Sequence, residues 1–322
     1  MTKIKDIFKF HLWPIENEIG IEVELEGQGL KVAVNGWLTE GDGSLRNYGV
    51  EFILREPLSK KDAYIRLDGL YKSLKKNSIL NISDRCAVHI HVNCQNMEIK
   101  QVFNYISLYL ILEDLILSWC GEEREGNLFC LRAKDAEWLI YSLIGDKKNW
   151  GVFETVTNRN SFKYASINVA SIRYYGSLEF RALPTPISAK PIKDYISLLL
   201  RIKRKALEVG DAKDFISECS ARGEREWVKG ILGPHFNMLK CMGMDEKIMA
   251  GVRRTQALIY TPLKKIKKPI ENKNLYHGGV DLRNVNLEMP PSIVLGPIDG
   301  NRDEEAENVI RLLNIERERR GN

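Results

Sequence analysis

Apolar and acidic residues alternate with period two from Ile19 to Glu26, a strand spacing that puts Ile21, Val23 and Leu25 on one face and Glu22, Glu24 and Glu26 on the other. Lys31 to Val34 is expected to pair with it across EGQG, and Tyr48 to Leu54 forms the next strand after the turn-rich loop TEGDGSLRN. Ala63, Leu67, Leu70 and Leu74 recur at three and four residues, so a helix capped by Ser59 runs to about Lys76. Cys86 to Asn93 alternates again, and Glu98 to Cys120 reads as a long, mostly buried helix. A helix over Ala133 to Ile144 follows, then strands near Phe162 to Ala170 and Gly176 to Leu183, the second stopped by Pro184 and Pro186. From Pro191 the pattern turns helical, with segments near 191–209, 211–232 and 245–260. The acid-bearing strands therefore lie in the first 185 residues.

Beyond residue 262 the chain shifts to KKIKKPIENKN, an irregular stretch with EMPPS and GPIDGN, and a tail helix over Asp303 to Arg319. That helix carries a narrow apolar stripe of Val309, Leu312, Leu313 and Ile315, which suits packing on its own domain or on another subunit. A hydrophobic fraction of 44% with 28% charged residues in 322 positions describes a folded chain rather than a disordered one. The net charge of +5 is too mild to call for nucleic acid, and the Lys264 to Lys268 run suits a solvated linker or a phosphate-binding strip for an acidic or polymeric substrate. The first residues lack the apolar core of a secretory signal, and the stretch Tyr105 to Cys120 is broken by Glu113 and Asp114, so no membrane span is expected. Six scattered cysteines without a CxxC pair suit reduced thiols in the cytoplasm.

Three glutamates on one strand face stand roughly 6.5–7 Å apart, and their mutual repulsion is relieved either by solvent or by hard divalent cations such as Mg²⁺ or Mn²⁺. Alone, GIEVELE leaves both accounts open. His89 and His91 in HIHV share a face by the same geometry, as do Glu179 and Arg181 in LEFR, and Glu51 adds a carboxylate in GVE. An HxH pair also suits zinc or iron, which keeps a metal-dependent hydrolase or oxygenase in view. Four candidate strands thus each offer ionisable residues on one face and apolar residues on the other. Carboxylates for two cations with a histidine and arginines beside them is the equipment of phosphoryl transfer from ATP. Neither GxxxxGK[ST] nor a helix-opening GxGxxG occurs, so metals and basic side chains would have to hold the nucleotide.

On these motifs the chain resembles the amidoligase family, carboxylate–amine ligases related to glutamine synthetase and glutamate–cysteine ligase. The landmarks are GIEVELE (20–26), DGSL (42–45), GVE (49–51), CAVHIHV (86–92), KYASIN (163–168) and LEFRALPT (178–185), covering roughly 18–186. The resemblance implies an α+β fold: a curved antiparallel sheet with an ATP and metal site on its concave face, helices behind, and a helical part over 187–262. Residues 1–262 would form this glutamine synthetase-like domain, with 263–322 a basic linker and tail. It implies that ATP phosphorylates a substrate carboxylate and an amine then attacks the acyl phosphate. Glu22, Glu24, Glu51, His89 and Glu179 take the positions of metal ligands. Arg181 takes that of the phosphate clamp, and His91 that of a contact to the transferred phosphate. Lys163 stands where an arginine is typical, keeping charge without a bidentate fork, and Ala87 replaces a usual glycine. Arg173 is a further candidate for nucleotide, and Asp42, Ser44, Arg124 and Arg132 for substrate. Glu26 rests on geometry alone, and a solvated position accounts for it. Relatives commonly assemble, so a homo-oligomer is consistent with the tail helix. A non-catalytic assembly protein on a degenerate ligase fold is the competing expectation.

Overall fold

A computed structural model of the protein describes residues 3–8, 18–46, 49–124, 127, 130–133 and 164–260. The helix expected over 133–144, apart from Ala133, and the tail helix, like Lys163, lie outside these residues.

The chain opens with α1 (Ile4–Ile7) and then β1 (Ile19–Leu25), β2 (Gly27–Gln28), β3 (Trp37–Gly41) and β4 (Val50–Leu54). Next come α2 (Lys60–Asn77), β5 (Ile79–Leu80), β6 (Ala87–Asn93) and α3 (Ile99–Cys120). After them lie β7 (Ile167–Asn168), α4 (Ser171–Tyr175), β8 (Ser177–Pro184), α5 (Ala189–Glu208), α6 (Ala212–Arg222), α7 (Glu224–Leu232) and α8 (Met244–Tyr260). The fold is α+β, with one open, antiparallel six-stranded sheet in the order β3-β4-β1-β6-β8-β7. β2 and β5 form a separate two-stranded ribbon.

One face of the sheet is apolar: Ile21, Val23, Phe52, Val88, Ile90, Val92, Leu178 and Phe180 are buried in a continuous core with α3 and α5. α3 lies between this sheet and α5 and α8, and is buried on nearly every side. By length and composition it is long and apolar enough to cross a membrane, yet its most apolar window is 83% buried within the protein. An all-round apolar helix is what such a central position demands. Gly251 lets α8 approach: a Cβ there would meet the Ile111 carbonyl oxygen at 2.1 Å.

The expected α2 is present, with Ser59 Oγ accepting the Asp62 N–H at its start. Four boundaries differ from the sequence reading. Lys31–Val34 is not a strand; Trp37–Gly41 pairs with β4 instead, after a turn in which Gly36 takes φ +85°. Thr39 to Gly41, placed in the TEGDGSLRN loop, belong to this edge strand; only Trp37 of it is buried, so it carries no alternation to read. Of the strand expected over 162–170, residues 162 and 163 lie outside the described residues, and within 164–170 only Ile167–Asn168 forms a strand, the chain then turning into α4. The helix expected over 211–232 is divided at Gly223, φ +81°. All six cysteines are free.

Candidate active site

Register across the sheet brings the acids and histidines together. Glu22 of β1 lies opposite His89 of β6, Glu24 opposite Glu51 of β4, and His91 opposite Glu179 of β8. All project from the face away from the helical core. Glu40 of β3, which the sequence reading missed, extends the row opposite Glu51 and is exposed.

Glu22 is the hub. Its Oε2 is 2.9 Å from His89 Nδ1 and its Oε1 is 3.1 Å from His91 Nε2. Ligand atoms of Glu22, His91 and Glu179 converge within 4.8 Å, and so do those of Glu22, Glu51 and His89. Two cation-sized triads therefore share one carboxylate. Of the five expected ligands, four enter these triads; His91, expected on phosphate, joins them. Glu24 stands outside both, its Oε2 accepting the Ala87 N–H at 2.8 Å. Its Oε1 is 3.5 Å from His89 Nε2, a buried nitrogen without a hydrogen bond among the described residues.

The electrostatics are those of a site with surplus negative charge. Burial, then the charges of Glu22, Glu24 and Asp42, push the Glu51 carboxyl up to about 9. Burial also raises Glu24, against the pull of His89 and Arg181. Glu22 goes the other way: burial opposes ionisation, but the His91 charge and hydrogen bonds from both histidines hold it well below the usual range. Burial works against His91 charging, yet Glu22 and Glu179 raise it. Glu179 is lowered because Arg181 and the histidines outweigh its burial. An oxygen-rich donor set with two imidazoles, a protonated glutamic acid and an orphan imidazole nitrogen fits hard divalent ions.

Supporting side chains orient this set. Asn168 Nδ2 donates to Glu179 Oε2 at 2.6 Å, and Arg181 Nη1 to Glu179 Oε1. The Arg181 Nη1 is also 3.4 Å from His89 Nδ1. His91 Nδ1 faces the hydroxyls of Ser177 at 3.1 Å and Ser171 at 3.2 Å, which leaves Nε2 turned to Glu22. Sequence reasoning missed Asn168, Ser171 and Ser177. They lie within motifs it noted or beside them, but only the hairpin through α4 folds them onto the ligands.

Arg181 sits on a β-bulge. Pairing of β6 with β8 shifts by one residue between Val88 and Ile90, so Arg181 and Ala182 together oppose His89. Arg124, expected at substrate, is 0% exposed; its Nε donates to the Ala182 carbonyl at 3.0 Å and its Nη2 to that of Arg181 at 2.6 Å. It has no surface to offer a ligand and braces the bulge instead. Arg132 is half-buried and Arg173 exposed on α4. Asp42 accepts the Ser44 N–H at 2.7 Å, an Asx turn, while its charge reaches Glu24 and Glu51. The Ser44 carbonyl accepts from Arg85 Nη1. Glu26, expected in solvent, is 1% exposed: the chain leaves β1 at Leu25, and Glu26 Oε1 accepts the Arg46 N–H at 2.6 Å. A cavity of about 460 Å³ beside Arg55, Glu56 and Arg66 has none of the cluster residues in its lining.

Comparison with curated proteins returns no match. The family model described as "putative amidoligase enzyme" matches residues 23–203, more than half of the chain, a span that begins one residue after Glu22 and includes the other triad residues. The chain belongs to this amidoligase family.

Proposed function

We propose that the protein is an ATP-dependent carboxylate–amine ligase of the glutamine synthetase-like kind, using two divalent ions, Mg²⁺ or Mn²⁺. The observation that carries this reading is the pair of triads sharing Glu22, with Arg181 beside them. Family membership supports a ligase-type function.

Glu22, His91 and Glu179 would hold one ion, and Glu22, Glu51 and His89 the other. Bound ions would supply positive charge to the polyphosphate and its transition state. The chain's own residues do the rest. Arg181, freed from Glu179, presents a guanidinium to the transferred phosphoryl group. Ser171 and Ser177 hold the His91 ring, and Asn168 fixes Glu179. In the reaction a substrate carboxylate oxygen displaces ADP from the γ-phosphorus. An amine nitrogen then displaces phosphate from the acyl carbon and loses a proton, giving an amide. Lys163 and Arg173 remain candidates for nucleotide charge, and Asp42, Ser44 and Arg132 for substrate.

ADP release by the purified protein with Mg²⁺ and pooled amino acids or polyamines tests the proposal. Turnover is expected in the native protein and lost in Glu22→Gln. Turnover that survives Glu22→Gln, or an absence of ADP release with every pool, overturns it.

A further inference from the structure

The short helix α4 carries two large aromatic side chains at the rim of the cluster. Tyr174 is 53% exposed and Tyr175 62%. Their ring centroids are 6.5 Å apart and the planes tilted by 57°. Tyr175 also meets His91 edge to face, with centroids 5.6 Å apart and planes at 85°. One edge of the aromatic pair therefore rests on a residue of the Glu22–His91–Glu179 triad, while much of its ring surface faces solvent.

The backbone explains why the rings stand there. Gly176 closes α4 in the left-handed region, φ 66° and ψ 26°, and turns the chain into β8. The same turn places the Ser177 hydroxyl against His91 Nδ1, with Ser171 on the other end of the helix reaching the same nitrogen. α4 is thus pinned to His91 at both ends, and its tyrosines are held over the edge of the site. Tyr175 lies close enough for Glu22, Glu179 and Glu51 to act on its phenol, after burial, in the same upward direction. Single exposed apolar side chains are ordinary on a protein surface, but an exposed ring packed on a cluster imidazole with a second exposed ring beside it is not.

We propose that Tyr174 and Tyr175 form a stacking platform for the base of a nucleoside triphosphate whose phosphates lie at the Glu22–His91–Glu179 triad. The inference rests on the phosphoryl-transfer reading and extends it to the other end of the nucleotide. One ligand satisfies both halves of the place: a flat aromatic group for exposed π faces, joined to an anion that brings cations to the acids. Stacking accepts any base face, so discrimination between adenine and guanine is expected to be small.

Calorimetry on the full chain with Mg²⁺ separates the halves, using β,γ-methylene-ATP and inorganic tripolyphosphate as probes. The native protein is expected to bind the nucleotide about tenfold more tightly than tripolyphosphate. Tyr174→Leu and Tyr175→Leu, which keep apolar bulk but remove the flat ring, should each weaken the nucleotide several-fold and leave tripolyphosphate unchanged. Tyr175→Phe should bind like the native protein. Equal affinity of the native protein for both probes, or leucine variants with native nucleotide affinity, overturns the platform while the phosphate site stands. The same holds if the variants lose spermidine binding but not nucleotide, since the rings would then serve an amine cation. Leucine variants that weaken both probes equally overturn it too, because the tyrosines would then act through the metals. Binding of neither probe by the native protein removes the platform together with the reading beneath it.

Discussion

Arg124 donates its Nη2 hydrogen to the carbonyl oxygen of Arg181 at 2.6 Å, so one fully buried arginine braces the main chain of another that points into the site. The Nε bond to Ala182 completes the clamp across the bulge. Removing the guanidinium leaves two sheltered carbonyls and a void. Arg124→Ala is expected to destabilise the protein by on the order of 3 kcal/mol. A chemical-denaturation midpoint equal to that of the native protein would show that the bulge holds itself.

The shared position of Glu22 predicts unequal effects on cation binding. Glu22→Gln should weaken both ions by at least about tenfold, whereas Glu51→Gln should weaken one and spare the other. Mn²⁺ titration followed by electron paramagnetic resonance gives the count. Two undisturbed ions in Glu22→Gln would dismiss the hub assignment.

Glu51 predicts a linked proton. Its carboxyl titrates at about 9 in the cation-free protein, so at pH 7.5 it is protonated, and a cation in the Glu22–Glu51–His89 triad has to expel that proton. Binding in that triad should release close to one proton from Glu51 at pH 7.5, and its affinity should rise as the pH approaches 9. Calorimetry in buffers of different ionisation enthalpy measures the release. Heats that do not depend on the buffer would contradict this origin.

A second titration lies on the opposite side of the sheet. Glu113, 0% exposed in α3, is raised to about 7 by burial, which outweighs Arg254, the Ser166 hydroxyl and the Ala133 N–H. Unfolded, it would ionise near 4.5. Between these values the folded state binds the extra proton, so stability falls as the pH rises from about 4.5 to 7, by up to roughly 3 kcal/mol. In Glu113→Gln this slope should flatten. Thermal melts at pH 5 and pH 7.5 compare the two proteins, and an unchanged slope assigns it to other groups.

Much of the sheet was legible because its central strands are half-buried. β1, β6 and β8 each set apolar residues against the core and ionisable ones on the other face, and local alternation reports that directly. β3 was not legible: as an edge strand with one buried residue it is defined by its backbone bonds to β4, not by its side chains. β7 and α4 are too short to establish any period. At the candidate site, spacing and resemblance single out Glu22, Glu51, His89 and Glu179, and the structure brings their ligand atoms together. Asn168, Ser171, Ser177 and Tyr175 are not singled out, since nothing in their neighbours along the chain distinguishes them.

By itself the sequence determined which side chains share a strand face, because that follows from the two-residue repeat of a single extended segment. Only the tertiary structure decided which strands became neighbours, and with that the register that sets Glu22 against His89 and His91 against Glu179. It also took Glu24 out of the triads, buried Glu26 under Arg46, and spent Arg124 on the bulge at Arg181. These outcomes depend on hydrogen bonds between residues 20 to 63 positions apart, which a local pattern cannot encode.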